Sequence, residues 1–474
     1  MAEIGPVTFG GLTTGLDTKN LISELLRIAR LPQQRLEKRQ ASANARIAAF
    51  KELNSKLLAL STALKKLETS TDFFVRTSTV SDATKLAASV TSAAAVGNTD
   101  ITINTLATKG VFTFKGESSD TATGIVGAGT VTIANLTGST TPFTSSISIT
   151  TTASTTLRDL RDAINNSANN KDANNDSIVT ATILDNGIVG DAKRFVLQIT
   201  ANKTGKANDF DLTETTSLAK EPTATTAAVD ASLTVGGVTL TRSSNTVSDV
   251  LTGVTLTLKA TGTATLTVSN DTTAMANNIK AVVSAFNDVR SFVASKSTLD
   301  QKNPQNNGPF VGDSTVRGVI DRLQTEVTRA VGGLSSDFNA LNDIGITTDP
   351  KTGKLNVNDT TLSSALSANA DQVSKIFLGS GGVSGVAALA DTDLAKDTNP
   401  GGLIDVRVGG IQKQVTALGD QIEREARRLK SFEALLVRQF AALERLASVF
   451  QSQGIALGGL TPQQTTTGRT KPLA

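Results

Sequence analysis

Asp172, Asn174 and Asp176 stand at alternate positions in the stretch DANNDSIVTATI. Oxygen side chains at that spacing open a calcium-binding loop, which also needs a glycine at its sixth place and a closing glutamate at its twelfth. Ser177 and Ile183 hold those places, so the stretch reads as a solvated loop with no metal. GIVGAGT at 124–130 is glycine-rich like a phosphate-binding loop. No Gly-Lys-Ser/Thr follows it and no strand–loop–helix context surrounds it, so it reads as a turn. The chain has 0 His and 0 Cys, which removes the commonest general base, the commonest zinc ligand, thiol chemistry and disulfides. Its many carboxylates fall on helix surfaces without a distinct pair. Asn135-Leu136-Thr137 and Asn202-Lys203-Thr204 have the glycosylation spacing by the chance of a Ser/Thr/Asn-rich composition. No catalytic residue, cofactor or metal site is expected, and the chain does not read as an enzyme.

Bulk properties narrow the class further. The 474 residues predict several domains, and a net charge of +3 with interspersed signs lacks the clustered basic face of a nucleic-acid binder. No run of eighteen apolar residues predicts membrane insertion, and MAEIGPVTFGGLTTGLDTKN lacks a basic stretch followed by an apolar core, so no cleaved secretory signal is expected.

Counting by sevens through QIEREARRLKSFEALLVRQF gives Val408, Val415, Ile422, Leu429, Leu436, Leu443 and Phe450. The companion positions three residues on are Ile411, Leu418, Glu425, Phe432, Gln439 and Leu446, a coiled-coil seam with two polar interruptions. Those interruptions either fix register or mark places where the seam faces solvent or another strand. Near the other end Phe50, Leu53, Leu57, Leu60, Leu64 and Leu67 alternate by threes and fours as a second seam. LDTKNLISELLRIAR predicts a helix capped by Asp17 or Thr18, and Pro32 either kinks it or opens the next helix. Helical periodicity returns at Met275, Ile279, Val282, Phe286, Val289 and Val293 and again at Val316, Ile320, Leu323 and Val327.

Between 77 and 270 the texture is Thr, Ser, Gly and Val in alternation, as in TDITINTLAT, IVTATILD, RFVLQIT and ATLTVS, which reads as half-buried antiparallel strands. Gly236-Gly237 and Thr261-Gly262 read as hairpin turns. TLRDLRDAIN is one short helix, and IGITTDPKTGKLNV reads as a hairpin. The fold expected is α+β, elongated and multidomain. The two chain ends and the central helices form a coiled-coil rod, and antiparallel β-rich domains are inserted into it. Residues 1–42 with 441–474 are expected as a terminal helical segment, disordered when free; 43–77 with 271–440 as the rod; 78–109 with 231–270 as an inner β domain; and 110–230 as an outer β-rich domain.

Several blocks in this order resemble the flagellar hook-associated protein 2 family, the filament cap proteins. GLTTGLDTKNLISELLRIARLPQQRLEKR resembles the family's opening through Gly15, Leu16, Asp17, Leu21, Leu25 and Pro32. SNTVSDVLTGVTLTLKATGTATLTVSND carries Asn245, Asp249, Gly253 and Leu256, and FNALNDIGITTDPKTGKLNVNDTTLSSAL carries Ile344, Gly345, Ile346, Gly353, Lys354, Leu355 and Asp359. RQFAALERLASVFQSQ resembles the closing block through Phe440, Leu443, Glu444 and Gln453.

The resemblance implies a ring of about five or six subunits at the distal tip of the bacterial flagellum, where it retains exported flagellin and helps it fold into the filament for motility. It implies export without a cleaved signal, through the flagellar type III apparatus, and a secreted location. The implied partners are flagellin and the filament tip, the hook-associated junction proteins, and a cytoplasmic chaperone on the C-terminal helix. Leu16, Leu21, Leu25, Phe440, Leu446 and Phe450 are the expected filament or chaperone contacts. Two other classes stay open. One is another flagellar axial protein of flagellin or hook–filament junction type. The other is a surface adhesin whose outer β domain binds host mucin or glycan, a role that a cap could also have.

Overall fold

The structure, a computed structural model, describes residues 17–136, 141–335 and 338–458. Leu16 lies outside them. The fold is α+β, and the chain divides into two compact units: 1–68, 278–365 and 371–474 form one, and 69–277 with 366–370 the other.

Helices α1 (Thr18–Ala29), α2 (Leu31–Lys65), α5 (Thr272–Lys296), α6 (Ser314–Thr328), α7 (Asp359–Leu378), α8 (Val386–Thr398) and α9 (Leu403–Gly458) carry the first unit, which α5 enters from the second. Asp17 caps α1, its Oδ1 accepting the Asn20 N–H at 2.9 Å. Pro32 stands at the start of α2, where its missing N–H costs nothing, so α1 ends at Ala29 and the next helix begins two residues later. α2 crosses residue 42 and α9 crosses residue 440 without a break. Phe50, Leu53, Leu57, Leu60 and Leu64 of α2, and Leu67 just beyond its end, are all fully buried. They lie in a many-sided core: Phe50 meets Phe310 edge-on at 5.1 Å, and Ser61 on the same helix donates to Asp391 of α8. The segments between helices add two small ladders, β15 (Ile346–Thr348) with β16 (Leu355–Val357) and β17 (Gly379–Ser380) with β18 (Val383–Ser384).

The second unit opens with a one-turn helix, α3 (Ser70–Phe73), and has two β layers systems, each with its own core. A five-stranded antiparallel sheet orders β1 (Arg76–Val80), β14 (Gly262–Asn270), β3 (Gly97–Thr105), β10 (Ala231–Val235) and β11 (Val238–Arg242). A three-stranded sheet orders β12 (Thr246–Val247), β13 (Val254–Leu258) and β2 (Leu86–Val90), and the two share a core through Leu86, Ile101, Leu233, Leu256 and Leu266. Gly236-Gly237 does form the two-residue hairpin, with Val235 opposite Val238 and φ of +56° and +86°, the signature of a mirror-image turn. Thr261-Gly262 does not. It carries the chain out of the three-stranded sheet into the five-stranded one, because β13 pairs with β2 and β12 while β14 pairs with β1 and β3.

The other core belongs to residues inserted between β3 and β10. Here β4 (Val111–Thr113), β8 (Phe195–Ala201) and β7 (Val179–Asp185) make one sheet, and β6 (Ile147–Thr151), β5 (Gly129–Asn135) and β9 (Phe210–Glu214) another. Helix α4 (Leu157–Asn165) closes the core with Leu157, Leu160 and Ile164, and a Thr156–Asp159 capping box starts it.

Asparagine side chains hold several of these edges. Asn135, Asn165, Asn170, Asn245 and Asn287 each give Nδ2 to a backbone carbonyl and take an N–H at Oδ1 from one residue, respectively Phe143, Ala181, Val179, Ala107 and Leu355. A side-chain amide presents the same donor and acceptor as a peptide group, so each closes a piece of ladder that has no strand beside it.

Candidate functional site

The residues singled out by type lead to no reaction centre. Asp172 accepts the Asn174 and Asp176 N–H groups at 2.9 and 3.0 Å, and Lys203 Nζ at 2.6 Å. The lysine ammonium supplies the positive charge that a cation would bring. First Lys203 and then the Asp176 N–H hold the Asp172 carboxyl below its ordinary range. Among the described residues no group of His, Cys, Asp and Glu could hold a metal ion, and no helix is long and apolar enough to cross a membrane. Asn135 and Asn202 spend their amides on Phe143 and Ser177 backbone groups.

The resemblance-bearing residues between 245 and 359 are scaffold. Asn245 clamps Ala107; Asp249 takes Arg242 at 2.9 Å; Leu256, Ile344, Ile346 and Leu355 are buried; Asp359 pairs with Lys280 at 2.7 Å. Gly353 has φ +65°, and a Cβ there would lie 1.9 Å from Arg290 Nη2, which donates to the Thr352 carbonyl. The left-handed φ is what favours glycine here, since the guanidinium ends a flexible side chain that can swing aside.

What remains is the end of the helical unit. α2 and α9 run antiparallel: Gln40 Nε2 donates to the Val415 carbonyl, while Arg46 and Arg407 both bind Asp313 Oδ2, at 2.8 and 2.7 Å. Asp313 also caps α6 through the Thr315 N–H and has no exposed side-chain surface. Burial works to raise its carboxyl, but the Arg407 and Arg46 guanidiniums prevail and hold it below 3.8. Asp397 is the opposite case. Its burial outweighs the bond from Arg322, and its carboxyl is raised.

Along α9 the sevens face inward as far as Leu436. Leu429 and Leu436 are buried with Ile411 and Leu418, Val408, Val415, Ile422 and Phe432 are half-buried, and Glu425 pairs with Arg428 at 2.7 Å. Beyond that point the expectation fails. Leu443 is 58% exposed and Phe450 65%, with Gln439 and Leu446 exposed too. The less exposed positions become Phe440, Glu444 and Ala447. A straight helix of 3.6 residues per turn drifts about 20° per heptad from a strict seven-residue repeat, and α9 follows the helix.

The facing stripe on α1 is Thr18, Ile22, Leu26 and Ala29, buried or half-buried. Leu21 and Leu25 are exposed, as are Ile28 and Leu31. Of the expected contact residues, then, Leu21, Leu25, Leu446 and Phe450 are open and Phe440 is half-covered. Val449 and Ile455 are open as well and were not singled out. The sevens could also have been carried back from Leu64 and Phe50 through Ala43, Leu36 and Ala29 to Ile22, which marks the face of α1 that is used up. The arrangement is of a kind that can bind a helix. Two paired helices present apolar side chains that nothing among the described residues covers, a patch of the kind that marks an interaction surface.

Comparison with known proteins bears on which surface. Residues 14–110 match the family model described as flagellar hook-associated protein 2 N-terminus, and residues 228–452 the one described as its C-terminus. Flagellar hook-associated protein 2 of Escherichia coli (strain K12) is 29% identical over 463 residues, covering 93% of this chain and 95% of that one. The B-type flagellar hook-associated protein 2 of Pseudomonas aeruginosa is 29% identical over 86% of this chain and 87% of its own. Among solved structures, the D1-D2-D3 domains of the Escherichia coli flagellar cap protein FliD superpose with a TM-score of 0.59 at 27% identity, covering 77% of this chain and 99% of that one.

Proposed function

Because the chain belongs to the flagellar hook-associated protein 2 family, we propose that it caps the growing flagellar filament. Copies assemble as a ring of about five or six at the distal tip, retain the flagellin that arrives there and promote its folding into the filament. Motility depends on this step. The chain leaves the cell through the flagellar export apparatus and works outside it; the same terminal helices take a chaperone before export, and the junction proteins precede it on the filament.

The observation that carries this reading is the uncovered apolar face at Leu443, Leu446 and Phe450 of α9, with Leu21 and Leu25 also exposed on α1. A face of this kind is stable in water only with a helical partner, and a filament end made of helices supplies one. The division into terminal, rod and β segments is on this reading a division of partners, because α2 and α9 run through it unbroken. Of the residues inserted between β3 and β10, 111–227 lie outside both family matches. Mucin or glycan binding is proposed for them as a second role.

The test is a Leu446→Asp, Phe450→Asp chain in cells lacking their own cap protein. Both side chains are exposed, so the variant should fold as the parent does. With its export checked separately in the culture medium, the exported variant should fail to restore swimming. Full motility would remove the docking role from this face.

A further inference from the structure

We propose that the α2–α9 hairpin carries the lateral contact between copies of this chain, an arginine flank on one copy meeting a carboxylate flank on the next. The proposal rests on the ring reading and names the surface that closes it.

The flanks follow from the seam. With Ile47 and Gln40 of α2 and Val408, Val415, Ile422 and Leu429 of α9 as inward positions, the residue before each lies on one flank of the pair. Arg46 and Arg407 are two such residues, and their shared bond to Asp313 fixes them on the same side. The residue two after each inward position lies on that side too. Away from Asp313 it therefore continues as Arg39 and Arg35 on α2 and as Gln414, Gln421, Arg424 and Arg428 on α9, all exposed, with Arg428 also reaching Glu425 at 2.7 Å. Over 31–47 and 403–438 the heptad positions of this flank hold arginines and no lysine, aspartate or glutamate. Of the carboxylates in the same stretches, Glu37, Asp405, Glu423 and Glu433 fall on the opposite flank and are exposed, with Lys430 the one cation of that flank; Asp420 lies on the outer face and Glu425 on the seam.

The molecule shows how the arginine flank takes an acid. Where α6 covers it, Asp313 receives two guanidiniums; where α6 leaves, the arginines continue without a helix over them. Guanidinium is the cation that forks onto carboxylate. A positive flank repels its own kind and fits the flank on the other side of an identical hairpin. Such a contact is head-to-tail and closes as a ring when the rotation allows. Each exposed pair is weak, so the contact acts as a row and is screened by salt.

The experiment uses the full chain in sedimentation velocity, with helical circular dichroism as the folding control. Arg39→Glu with Arg424→Glu reverses one flank; Glu37→Arg with Glu433→Arg reverses the other. Each should weaken ring assembly by about tenfold or more at low salt. The chain carrying all four changes restores opposite charges between neighbours and should assemble again. Either two-site variant assembling like the parent would overturn the proposal, as would a folded four-site variant that stays dissociated. Binding of duplex DNA or phosphatidylglycerol vesicles through these arginines, with rings indifferent to them, would overturn it too. Rings that survive flank reversal remove this contact and leave capping standing, since capping is read separately by motility of the Leu446, Phe450 variant.

Discussion

Asp313 has no exposed side-chain surface and two guanidinium partners, Arg46 and Arg407, brought from the two ends of the chain. Replacing it by alanine removes the partner of both arginines and uncaps α6. Because Arg46 and Arg407 are 30% and 40% exposed, the cost falls below that of breaking a fully buried pair, about 3–5 kcal/mol. A carboxyl held low adds stability that is complete above its unfolded value and is lost as pH falls through its lower folded value. The gap in melting between parent and Asp313→Ala should therefore be full at pH 7 and shrink as pH drops below 3.8. A gap independent of pH would show that the pair is not what holds the helices. For Asp397 the sign reverses. Its raised carboxyl adds stability while protonated, and this is lost as pH rises through its folded value. Gly353→Ala forces a side chain into a left-handed turn beneath Arg290 and should cost about 1–3 kcal/mol by chemical denaturation. None of the Asp313 contacts was legible in the sequence, because residues 46, 313 and 407 share no local pattern and meet only through the fold. The seam residues were legible because burial repeats within one helix.

At the scale of elements, Leu429 is buried on the seam and Leu443, two heptads on, is exposed. Periodicity marks an apolar face without saying where its partner stops. The same limit explains Thr261-Gly262: the turn chemistry was visible, but whether the flanking strands pair with each other depends on registers set far along the chain. Leu429→Asp must desolvate a carboxylate or part α9 from its neighbours, at a cost of several kcal/mol, comparable with a domain's whole stability. Helical ellipticity should melt earlier while the β cores around Leu233 and Leu160 persist. An unchanged melt would mean that α9 does not depend on this seam. Removing the chain from about residue 440 onward should likewise spare the β signal in circular dichroism, since α9 contributes nothing to either β core. It should abolish swimming, and motile cells carrying the truncated chain would contradict the role given to its end.

For the whole molecule, the apolar ends and the charged flanks assign different jobs to one pair of helices. On the proposed function the ends meet the filament, and on the proposed lateral contact the flanks meet the next copy. The family was legible because its marks are turn and clamp residues such as Asn245 and Gly353, which are fixed by backbone geometry. The contacts with filament and neighbours were only partly legible, since a side chain exposed in one copy carries no internal record of what covers it. The most direct test is electron microscopy of the purified full chain at low salt, without flagellin. A cap whose copies join head-to-tail and close should appear as discrete rings of about five or six subunits. Open filaments would place the chain with the proteins that polymerise along the flagellum, and dispersed monomers at every concentration would contradict the account.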